Sequence, residues 1–234
     1  MRPAHNSAPG FTLLELLAVI AVVALLAGLV LLGVGSARQA AQAAQTASQM
    51  RQIFTATAAY AADHYNQLPK VAATGISGDP SEFFFLMEED SVADLENSGL
   101  NPYLDSNREL WLAPGDDGIK ADGTPGRNFS FSFNFLINKG ELQEGADSPS
   151  GFEKALGTVR LHLLDKPAGK ILIFEEARPT DGFCVWFMDS DRPTTRHDGK
   201  AHAGFADGHV ELLEADRIFG NTEFCELVPQ GLQY

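Results

Sequence analysis

Apolar and polar positions are distributed unevenly along the 234 residues. Residues 10–35 read GFTLLELLAVIAVVALLAGLVLLGVG, and the 20 residues from Leu16 to Gly35 carry no charge. At about 1.5 Å per residue, a helix of that length spans the roughly 30 Å hydrocarbon core of a bilayer. The small residues of GVGSA (33–37) suit a signal-peptide cut, but a signal's apolar run is shorter, about 7–15 residues. From Ser36 to Gln67 the chain becomes Ala- and Gln-rich without Gly or Pro, so the helix is expected to continue beyond the membrane. There Ala47, Met50, Phe54, Ala58, Ala61 and Tyr65 recur at steps of three or four and predict one apolar face, with Gln45, Gln49, Gln52 and Asp63 elsewhere. Leu68-Pro69 predicts the stop, because proline removes a donor and restricts the residue before it.

The pattern changes after residue 68. GISGDPSEFFFLMEED predicts a helix N-capped by Ser81 and running to about Asp90, and LAPGDDGIKADGTPG reads as loop. NFSFSFNFL alternates strictly, placing Phe129, Phe131, Phe133 and Phe135 on one side and Ser130, Ser132 and Asn134 on the other. That predicts a strand with one buried face. KILIFEEA (170–177) and GFCVWFM (182–188) read as further strands, and in HAGFADGHVELL (202–213) Asp207-Gly208 predicts a two-residue type I′ hairpin. Connections too short for crossover helices favour an antiparallel sheet. The fold class expected is α+β: a long N-terminal helix, half membrane-spanning and half docked, on an antiparallel β-sheet head.

Charge narrows the function. Lys and Arg number 17 against 31 Asp and Glu, a net charge of −14. Phosphate recognition needs clustered cations, so nucleic acid is not an expected partner. The acidity suits solubility, or sites for divalent cations. Cys184 and Cys225 are the two cysteines. If the head is exported they are candidates for a disulfide closing a loop of roughly 40 residues, worth about 4 kcal/mol in the chain-entropy model. If reduced, they are small buried hydrophobes.

Glu15 poses the sharpest question, since a carboxylate at the start of a membrane helix is costly and needs a partner. No Lys or Arg lies within a turn or two of it. A cut after Gly10 would create a cation, the α-amino group of Phe11, four residues away or on a neighbouring copy. Gly10, Phe11-Thr12-Leu13-Leu14-Glu15 and the apolar helix behind them resemble the prepilin signal of type IV pilins and of the pseudopilins of type II secretion. The resemblance implies that Gly10 is the cleavage residue, Phe11 the N-methylated first mature residue and Glu15 the acid that neutralises a neighbour's amine during filament assembly. It also implies four segments: a leader over 1–10, a membrane half-helix over 11–35, a soluble half over 36–67 and a β-rich head over 68–234. Pro9 stands where the family often has Lys or Arg.

A second resemblance lies near the C-terminus. His197 with Asp207-Gly208 reproduces the H-x9-DG pattern of a large group of bacterial pilin-like proteins. NPYLDSNRELWLAPGDD is similar to that group's Tyr-Leu and Cys-Pro-x-Asp segment, with Ala113 where the cysteine usually stands, and FSFSFN to its aromatic strand. Together the two resemblances imply a structural filament subunit rather than an enzyme. Its partners would be other copies of itself, the prepilin peptidase, an inner-membrane assembly platform driven by a cytoplasmic ATPase, and membrane lipid. It would sit in the bacterial inner membrane as a single-pass protein with a cytoplasmic N-terminus and a periplasmic or extracellular head.

The densest polar cluster is DSDRPTTRHDGKAHAGFADGHVE, holding His197, His202, His209, Asp189, Asp191, Asp198 and Asp207. These are metal-ligand types, but their spacing matches no zinc motif, and sheet alternation sends some to opposite faces. The plainer expectation is that His197 and Asp207 hydrogen-bond locally and hold the hairpin with its preceding loop. Oxygen-rich runs, Asp189 with Asp191 or Asp116 with Asp117 and Asp122, suit calcium without EF-hand spacing, and the resemblance implies calcium in a C-terminal loop. No other cofactor is expected. Two alternatives from other classes are a membrane-anchored or secreted carbohydrate-binding protein, with Trp111 or Trp186 as a stacking platform, and a metal-dependent enzyme.

Overall fold

A computed structural model describes residues 11–71, 79–88, 92–120, 122–134, 160–164, 166–184 and 191–219. Contacts divide the chain into two units, residues 1–41 and 42–234.

In the first unit the described chain is helical from Leu13, the start of α1 (Leu13–Asp63). Among the described side chains of this unit the large apolar ones are exposed, from Leu13 at 88% to Val19 at 51%. An apolar surface of that extent is incompatible with water and suits lipid. Among the described residues, α1 is long and apolar enough to cross a membrane.

The second unit is built around a five-stranded sheet in the order β5-β3-β4-β6-β7, with β3 Phe131–Asn134, β4 Ile171–Glu175, β5 Phe183–Cys184, β6 Lys200–Phe205 and β7 Val210–Glu214. β3, β4, β6 and β7 pair antiparallel. β5 departs from the expected all-antiparallel arrangement by running parallel to β3 at the edge. No crossover helix is needed, because β4 itself is the return stroke between them. A short helix, α2 (Ala215–Ile218), follows β7.

The buried face of α1 comprises Thr46, Gln49, Met50, Ile53, Phe54, Ala56, Thr57, Tyr60 and Ala61. Ala58 and Tyr65 of the expected stripe are exposed. Successive steps of four overshoot a 3.6-residue turn by about 40°, so the run 50, 54, 58 leaves the face that 46, 49, 53, 57 and 60 hold. Gln49, expected elsewhere, is buried and donates its Nε2 to the carbonyls of Glu109 (2.8 Å) and Leu112 (3.2 Å). Helix α1 ends before Pro69: the Asn66 amide donates to the Ala61 carbonyl at 2.7 Å, and Tyr65 and Asn66 have φ of 55° and 62°. This is a Schellman-like, left-handed stop.

The helix expected from Ser81 is absent. Asp79 accepts from the Ser81 amide (3.0 Å) and hydroxyl (2.8 Å), a 3-10 turn spans Pro80–Glu82, and the hairpin β1 (Leu86–Glu88) with β2 (Val92–Asp94) follows. Phe83, Phe84 and Phe85 explain the difference: all three are buried, whereas three consecutive helical positions spread over about 200° and cannot all face one core. They enter an aromatic cluster in which Phe84 stacks on Phe133 (3.6 Å) and Phe85 meets Trp111 edge-on (5.2 Å). β3 is also buried on both faces, correcting the one-sided expectation for Ser130, Ser132 and Asn134. Phe135, the rest of GFCVWFM and Trp186 lie outside the described residues. At β6 an ideal Cβ on Gly204 would stand 2.2 Å from Phe54 Cε2, so only glycine lets α1 lie this close to the sheet.

Candidate functional site

Two sites carry the functional residues, one at the start of α1 and one at the end of β4. At the first, Thr12 precedes the helix and Glu15 sits in its first turn. The Thr12 amide and hydroxyl each donate to Glu15 Oε2 at 2.9 Å, and the Glu15 amide donates to Thr12 Oγ1 at 3.2 Å. This reciprocal capping box satisfies backbone donors that open every helix. The T-x-x-E spacing in the sequence is its signal. Phe11 is 75% exposed beside it, and Gly10 lies outside the described residues.

At the second site, Glu175 closes β4 with its side chain fully buried. Oε1 accepts from Arg196 Nη1 at 2.7 Å, while His197 Nε2 (2.8 Å) and His202 Nδ1 (3.2 Å) both reach Oε2. Burial would raise this carboxyl, but the bonds from His197 and His202 and the charge of Arg196 outweigh it and hold the group at about 2. Arg196 Nη2 continues to Asp116 Oδ2 at 2.7 Å, and Asp116 also accepts from Arg127 Nη2 (2.5 Å) and Ser130 Oγ (2.6 Å). Charged groups taken from water persist only when paired and hydrogen-bonded in this way. Asp116 is therefore committed to two guanidinium groups, and Asp117 and Asp122 accept backbone amides of their own turns. Glu176, next along the chain, is buried with Oε2 lacking a partner; burial pushes its carboxyl well above the usual range, with Asp191 and Asp181 adding like charge.

His197 and Asp207 are not brought together. His197 opens a tight turn with mutual backbone bonds to Lys200, in which Asp198 and Gly199 have φ of 56° and 83°. The Asp-Gly pair with positive φ at both centres, the I′ signature, is thus 198–199. At 207–208 only Gly208 (φ 92°) is left-handed; the Gly208 amide donates to Phe205 and the Phe205 amide to His209, a longer hairpin closed by a glycine bulge. Asp207 bonds His209 Nδ1 at 2.5 Å, and the His209 ring stacks on Phe205 at 4.2 Å.

Sequence reading missed Glu175 and Arg196. Their signal is present in FEEA, two acids ending an apolar strand, and in Arg196 directly preceding His197. Asp191 is buried, whereas Asp189 lies outside the described residues. Cys184 is buried on β5 and Cys225 lies outside them. Trp111, 2% exposed in the core, presents no face to a sugar.

A family model of the prokaryotic N-terminal methylation motif matches residues 6–31. The match supports a prepilin-type signal, and the long N-terminal helix on an α+β layout fits a pilin-like protein. No curated protein and no solved structure matches the chain.

Proposed function

We propose that the chain is a structural subunit of a type II secretion pseudopilus or a type IV pilus-like filament. A prepilin peptidase cuts after Gly10 and methylates Phe11, and subunits wait in the inner membrane, heads outward, before a platform driven by a cytoplasmic ATPase extracts them. The observation that carries this reading is the Thr12–Glu15 box at the head of an uncovered apolar helix inside the methylation motif.

In the waiting subunit Thr12 gives the Glu15 carboxylate its hydrogen bonds, which lowers the cost of placing it near hydrocarbon. During assembly the same carboxylate pairs with the methylated amine of a neighbouring Phe11. An unpaired charge in a low dielectric is costly, so this pairing sets the axial register of incoming subunits. Glu175, His197 and His202 are buried and bonded to one another, which suits a role in the head's own fold rather than contact with a substrate. The Glu15→Ala chain is expected to be cleaved normally and to form no filaments; filaments of normal abundance would sink the reading.

A further inference from the structure

We propose that Glu175, His197 and His202 form a structural binding site for a divalent transition-metal ion of the zinc class. Their ligand atoms lie within 4.8 Å of one another, with both imidazole nitrogens aimed at one carboxylate oxygen at 2.8 and 3.2 Å. Four-coordinate zinc, with bonds of about 2.0–2.1 Å, holds adjacent ligand atoms on the order of 3.3 Å apart. The two sides that meet at Glu175 Oε2 need only a small expansion to reach that spacing, and the third lies within 4.8 Å. Two imidazoles and one carboxylate are also the donor types this metal class selects over calcium or magnesium.

The fold holds the three donors from independent places. Pairing of Phe174 with Ala203 makes Glu175 and His202 neighbours across β4 and β6, and the 197–200 turn swings His197 back over them. An ion here joins two central strands to the loop preceding β6. The second layer is built as well: Arg196 grips Glu175 Oε1 and is itself held by Asp116, which fixes the carboxylate with Oε2 toward the imidazoles. Binding requires each imidazole to carry its proton on the far ring nitrogen, Nδ1 of His197 and Nε2 of His202. The set leaves one position for a single water. With His197 5% and His202 3% exposed, the ion would be enclosed, stabilising the head rather than turning over substrate.

The test uses the full untagged chain in a non-ionic detergent, stripped with a chelator and titrated with zinc chloride, then with cobalt chloride. One zinc per chain should survive gel filtration, Tm should rise by several degrees and fall back with chelator, and cobalt should give the visible absorption of a tetrahedral nitrogen–oxygen site. Arg196→Gln should weaken zinc about 10–100-fold, and the His197→Ala/His202→Ala chain should retain none. Less than a tenth of an equivalent bound to the wild-type chain, with Tm unmoved, overturns the proposal. So does undiminished binding in the double variant. The wild-type titration decides the matter even where that variant does not fold.

Discussion

Thr12 and Glu15 bind each other reciprocally, each side chain accepting the other residue's backbone amide, at 2.9 and 3.2 Å. The box therefore has two tasks, capping the start of the helix and keeping the carboxylate bonded before it meets another copy. Thr12→Val removes one partner and costs about 1 kcal/mol of capping, whereas Thr12→Ser keeps both bonds. Quantitative immunoblotting of sheared filaments should show reduced yield for valine and near-normal yield for serine, with cleavage unchanged in both.

Gly204 makes the contact between α1 and the sheet. Alanine would bring Cβ to 2.2 Å from Phe54 Cε2 and 2.9 Å from Ile173 Cγ2, so helix or strand must shift. Gly204→Ala is expected to destabilise by about 1–3 kcal/mol, the usual range of core overpacking. Phe54→Leu in the same chain should recover part of the loss, giving a favourable coupling in a double-mutant cycle followed by urea unfolding.

Asp116 accepts from Arg127 and Arg196 with its side chain 1% exposed. Asp116→Ala leaves both guanidinium groups without their shared acid. Loss of one member of a buried ion network costs about 3–5 kcal/mol, and urea midpoints should report a change of that order. A change below about 1 kcal/mol would mean that water reaches the network.

The pH dependence of stability should carry the mark of Glu176. Its folded carboxyl is held above the unfolded value by burial first and like charge second, so the folded chain binds more protons. That contribution is complete below the unfolded carboxyl range and is lost as pH rises toward the folded pKa. Glu176→Gln should flatten this fall in Tm between pH 5 and 9. An unchanged slope would place the loss elsewhere.

How much of this was legible in the sequence depends on the range of each signal. The apolar run and the alternation of FSFSFN are local, and they predicted the helix and β3; the T-x-x-E spacing is equally local, but the box it carries is seen only in the structure. Register and long-range pairing are not local. Gln49 is polar by type yet buried, because two carbonyls sixty residues away require its amide. Glu175 could be placed beside His197 and His202 only once β4 and β6 paired, and two Asp-Gly pairs nine residues apart carry the same turn signal though only 198–199 adopts it. Phe83 to Phe85 misled for a related reason: a run buried all round has no period to read.

The mature N-terminus decides whether the chain follows the prepilin route. Membranes from cells expressing the chain with its native peptidase, analysed by mass spectrometry, should yield a chain beginning at N-methyl-Phe11. A chain that keeps Met1, or one cut near Gly35, would contradict it.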